Sequence, residues 1–73
     1  MTLSSLAAGK SGVVSQLGGG KEFMARAASL GFTLGAQVKV VQNYGQGPMI
    51  VSLRGASLAL GRGEALMIEV EPV

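Results

Sequence analysis

Apolar and polar positions alternate in four stretches of the chain. Val38 and Val40 flank Lys39 in AQVKVVQN, and PMIVSLR is a further strand with Pro48 at its start, where a missing N–H does least harm. In ASLALG, Ala56, Leu58 and Leu60 share one face. In LMIEVEP, Leu66, Ile68 and Val70 face one way and Met67, Glu69 and Glu71 the other. A period of two is the signature of a half-buried strand. A fifth strand, Ser11 to Leu17, is read from β-branched residues bounded by glycine.

The period changes to that of a helix only once. Between Lys21 and Leu30, Phe23, Ala27 and Leu30 fall at i, i+4 and i+7, with Met24 and Ala28 beside them. Glu22 in the first turn suits the helix dipole, and Gly31 stands where a left-handed residue closes a helix, so that Phe32 folds back on the last turn. SLAAG, Ser5 to Gly9, reads as a short helical turn closed by Gly9, and GRGEA, Gly61 to Ala65, as a tight turn or a single 3₁₀ turn. NYGQG is the connection between the second and third strands. Short strands in so small a chain hide their edges best by curling into a barrel. The fold class expected is therefore mostly β: one domain spanning 1–73, a small SH3-like barrel of about five strands with one helix inserted after the first.

The glycine run LGGGKE raises the question of a phosphate loop. That motif needs a first glycine four residues before Gly-Lys and a hydroxyl after it. Ser15 and Glu22 occupy those places, and the glutamate would repel a phosphate. The dinucleotide pattern fails at Phe23, where a small residue is needed. The run reads instead as a connection between strand and helix.

Composition narrows the chemistry further. The 73 residues include no Cys, His or Asp; the acids are Glu22, Glu64, Glu69 and Glu71. Disulfides, thiolate metal sites, the commonest metal ligand and the usual acid–base pairs of enzymes are thus excluded. The chain is read as no enzyme, with no catalytic, cofactor-binding or metal-binding residues. The six basic residues, Lys10, Lys21, Arg26, Lys39, Arg54 and Arg62, give a net charge of +2 and are scattered, which argues against nucleic acid. The longest charge-free run, Val40 to Leu53, is shorter than the roughly 20 apolar residues of a membrane helix. The N-terminus shows no signal peptide, so a cytoplasmic location is expected.

The order of the segments resembles the FeoA family, ferrous iron transport protein A, over nearly the whole chain. The resemblance rests on LSSLAAGKSGVV, ARAASLGFTLGAQVKVV and GPMIVSLRGASLALGRGEALMIEVEP. Arg26, Leu30, Gly31 and Gly35 match the family's central motif, Gly47-Pro48 approximates its Gly-x-Pro element, and Leu60, Glu64, Ala65 and Ile68 to Pro72 match its end. Ala27 and Leu34 depart from a usual leucine and a common proline. The resemblance implies an SH3-like barrel of the bacterial cytoplasm and an accessory role in ferrous iron uptake through FeoB, a membrane transporter with a cytosolic GTP-binding domain. A similar barrel forms the C-terminal module of iron-dependent repressors, so a stand-alone relative of that module is one alternative; a faint likeness of LAAGKSGVVSQL to ribosomal KOW segments marks a nucleic-acid-binding barrel as the other. Iron is here the pathway's ion, with no His or Cys to hold it. Three residues are candidates for partner contact. Tyr44 lies in a glycine-flanked loop, against the reading that it caps the barrel end. Met49 is weighed against core filling, and Arg26 against a locally paired surface charge. Gly31 and Gly35 are read as structural, and the oligomeric state is left open.

Overall fold

The computed structural model covers Met1–Val73. A 3₁₀ turn (Leu3–Ser5) leads into β1 (Ser11–Leu17) and α1 (Gly20–Leu30). Then follow β2 (Gln37–Gln42), β3 (Met49–Leu53), β4 (Ala56–Leu60), α2 (Arg62–Leu66) and β5 (Ile68–Pro72). All five strands join one antiparallel sheet in the order β4-β3-β2-β1-β5. The register slips between Val14 and Gln16 and between Val40 and Gln42. Bulges of this kind sharpen strand bending and let a small sheet wrap its own core.

One face of every strand contributes to that core. Val14, Val38, Val40, Met49, Val51, Leu53, Leu60, Ile68 and Val70 are buried, joined by Leu3, Leu6, Phe23, Ala27, Phe32 and Ala65 from the turns and helices. No polar or charged residue is buried. At about 25 cal/mol per Å² of apolar surface, this face is what holds so short a chain together.

Several local expectations are corrected. Leu30 was expected on the buried helix face but is 44% exposed, and Met24 and Ala28 are exposed too. The helix stops at Leu30, and Gly31 turns the chain at φ 105°, so Phe32 enters the core in its place. The Phe32 amide donates to Ala27 O (2.9 Å) and the Gly31 amide to Ala28 O (3.0 Å), the paired bonds of a Schellman closure. Leu66 was grouped with Ile68 and Val70, yet it ends α2 and is exposed. GRGEA is one turn of α-helix rather than a plain turn or 3₁₀. Glu64 Oε1 accepts from the Gly61 amide (3.0 Å) and so satisfies a free donor at the helix start. The helical turn before β1 lies at Leu3–Ser5 rather than in Ser5 to Gly9. In β4 only Leu60 is buried, with Leu58 half-buried and Ala56 exposed.

The glycine run has its own structural explanation. Gly19 sits at φ 84°, and a Cβ there would overlap the Met67 sulfur and press on Phe23. The Gly18 amide donates to Met67 O (2.8 Å). The run lets β1 turn sharply into α1 against the start of β5.

Candidate functional site

The segment expected to make the contact is Gln42 to Met49; Gln42 ends β2 and the buried Met49 begins β3, so the loop itself is Asn43 to Pro48. None of these loop residues is buried, and Tyr44 is 77% exposed at the tip. Tyr44 therefore does not cap the barrel end. The order of the loop comes from the neighbouring amide. Asn43 Nδ2 donates to Ser4 O (3.1 Å) and Leu6 O (2.8 Å). Its Oδ1 accepts from the Gly45 amide (2.9 Å) and from Arg62 Nη2 (2.9 Å). A side-chain amide has two N–H donors and two oxygen lone pairs, so Asn43 is fully satisfied. Arg62 extends the network, its Nε donating to Gly47 O (3.2 Å) and its Nη1 to Ser4 O (3.2 Å). The loop is thereby tied to the N-terminal turn and to the start of α2, and Tyr44 projects from a fixed base.

Sequence reasoning pointed to Tyr44 and missed Asn43 and Arg62. Half of the signal was available: Asn two residues before Gly is the pattern of an Asx turn, which the Gly45 amide makes here. The other half was not, because Ser4, Leu6 and Arg62 are far from Asn43 in the chain.

The other candidates lie elsewhere. Met49 is fully buried, so it belongs to the core and is withdrawn as a partner contact. Arg26, on α1, pairs with Glu64 of α2 and is not brought near Tyr44's network by any hydrogen bond. The pair joins two helices that are distant in sequence and spends the Arg26 charge locally. Gly35 has φ 86°, and its amide donates to Val14 O (2.8 Å), returning the chain to β1 before β2 begins.

The surface carries no enclosed pocket, and no three acidic, His or Cys side chains gather as a metal site would require. No helix is long and apolar enough to cross a membrane. What the surface offers is an exposed aromatic on a hydrogen-bonded loop.

The family model for the FeoA domain matches residues 1–72. This chain belongs to the FeoA family. A candidate Fe(2+) transport protein A of Methanocaldococcus jannaschii is 38% identical over 63 residues, which are 86% of this chain and 76% of that protein. Among solved structures, an iron uptake regulatory protein (FeoA) superposes with a TM-score of 0.94 at 32% identity, covering 100% of this chain and 97% of its own. FeoA of Stenotrophomonas maltophilia complexed with zinc, described as a prokaryotic SH3 domain protein, superposes with a TM-score of 0.86 at 30% identity. That match covers 97% of this chain and 89% of the other. The expected SH3-like class, mostly β with one main helix after the first strand, is the fold of this FeoA chain.

Proposed function

We propose that this FeoA-family protein is a small cytosolic interaction module of ferrous iron uptake that acts by docking on the cytosolic part of the FeoB transporter, with no catalysis of its own. The observation that carries the reading is Tyr44, the chain's one tyrosine, held 77% exposed on a loop braced by Asn43 and Arg62. An aromatic that is pre-positioned contributes apolar contact at little ordering cost, which is how interface anchors act. The iron is cargo of the pathway, and the module touches the transporter rather than the ion.

A typical interface takes about 800 Å² per partner, a large share of the 4127 Å² of surface here. A transient complex of micromolar strength fits that scale. The test is Tyr44→Ala in cells that depend on this protein for ferrous iron uptake. The variant should melt within a few degrees of the parent and fail to support uptake. A folded variant with normal uptake would overturn the loop as the contact and direct the search to the helix surface around Arg26.

A further inference from the structure

The two edges of the sheet differ. The β5 edge is protected: Thr2 bridges Glu69, the Val70 amide donates to Met1 O (2.8 Å), and the strand carries Glu69, Glu71 and Pro72. Covering chain, charge and proline are the usual devices that keep a free edge from pairing. The β4 edge has none of them. Ala56–Leu60 pairs on one side only, contains neither charge nor proline, and exposes Ala56, Ser57 and Ala59. Alternate backbone groups along it face outward without a strand partner.

We propose that β4 is a docking edge that accepts an extended acidic segment of a partner protein by strand addition. The edge is preformed. The β3–β4 hairpin turns on Arg54 (φ 53°) and Gly55 (φ 82°), two left-handed residues that match strand twist. Its register runs without a slip from Leu53↔Ala56 to Met49↔Leu60, over the buried Met49, Val51 and Leu53. An added strand would form backbone hydrogen bonds without any rearrangement of the core.

Charge selects the occupant. No acid occurs between Glu22 and Glu64, a stretch that contains the whole of β2, β3 and β4. Of its cations, Arg26 is paired with Glu64, and Arg62 is spent on Asn43 and two carbonyls. Arg54 and Lys39 form no ion pair. Arg54 stands at one end of β4. Lys39 lies on the outer row that runs through Ser52 to Ser57, two strands or about 10 Å from the edge. A second copy of the chain fits less well. The two-fold pairing that uses all five residues sets Leu58 opposite itself, and neither β4 nor the residues flanking it, Arg54, Gly55, Gly61 and Arg62, bring an acid to pair with Arg54 of the other copy.

This inference concerns the edge alone and stands whether or not Tyr44 serves iron uptake. The probe is a short, acetylated and amidated peptide alternating Glu and Val, compared with its Lys–Val counterpart, titrated into isotope-labelled protein and followed by NMR. Shifts and slowed amide exchange are expected in Ala56–Leu60, at sub-millimolar affinity, with the Lys peptide weaker by about tenfold or more. Arg54→Asn, which keeps a residue tolerant of the left-handed turn, should lower affinity for the acidic peptide by about threefold or more and leave the melting temperature unchanged. Equal binding of both peptides, shifts away from β4, or no shift up to millimolar peptide would overturn the proposal. So would protection of the β4 amides without peptide in a sedimenting dimer, which would make the second copy the occupant.

Discussion

Helix α1 and the loop between β2 and β3 both stand out from the sheet, and they are held by opposite means. The helix has eleven residues and buries two, Phe23 and Ala27. The loop buries none, yet Asn43 and Arg62 tie it to Ser4, Leu6, Gly45 and Gly47 through directional hydrogen bonds. Apolar anchoring is strong but non-directional, and the one side-chain bond from α1 to another element is the exposed Arg26–Glu64 pair. Hydrogen bonds contribute less per contact but fix geometry. The contrast teaches that exposure does not track anchoring in this molecule: Tyr44 is more exposed than Leu30, yet it follows Asn43, whose side chain makes four hydrogen bonds.

The comparison can be broken at the helix first. Phe23→Ala removes its main anchor and should cost about 3–5 kcal/mol, much of the roughly 4–11 kcal/mol expected for a domain of this size. Chemical denaturation measures the loss. Hydrogen exchange should show α1 opening before the sheet; simultaneous opening would mean the helix is part of the same cooperative unit. Next in size is Gly31→Val. A β-branched residue at φ 105° is strained, and its Cβ would lie 3.1 Å from Leu53 Cδ2. A loss of about 1–3 kcal/mol is expected, read as a lowered denaturation midpoint.

The loop is tested by Asn43→Ala, which removes one hydrogen bond each from the Ser4 and Leu6 carbonyls, the Gly45 amide and Arg62, while Arg62 keeps its bonds to Ser4 O and Gly47 O. Because the site is only partly buried, water replaces some of these bonds, and about 1 kcal/mol is expected. The sharper readout is the backbone order parameter at Tyr44 and Gly45, which should fall; an unchanged value would show that the glycine turn alone sets the loop. The smallest effect belongs to Arg26→Gln. The Arg26 side chain is 63% exposed and Glu64 31%, so solvent screens the pair and less than about 1 kcal/mol should be lost. That loss should vanish in high salt, since a screened surface pair has little left to lose.

The sequence by itself determined the elements whose causes are local. The span Ser11–Leu17, the alternation of Val38 with Val40 and of Ile68 with Val70, and the glycine closure after Leu30 were all legible. A period of two, β-branching and the demand for a left-handed residue act within a few positions of the residue concerned. Only the tertiary structure decided which apolar residues the core had room for. Leu30 was displaced because the closure at Gly31 carries Phe32 inward. Leu66 was displaced because the α2 turn breaks the parity with Ile68 and turns Ala65 in. Tertiary structure also decided that Asn43 would meet Ser4, Leu6 and Arg62, and that β4 would be left as the uncovered edge. Those outcomes depend on sheet order and on contacts between residues far apart in the chain, and no local period encodes either.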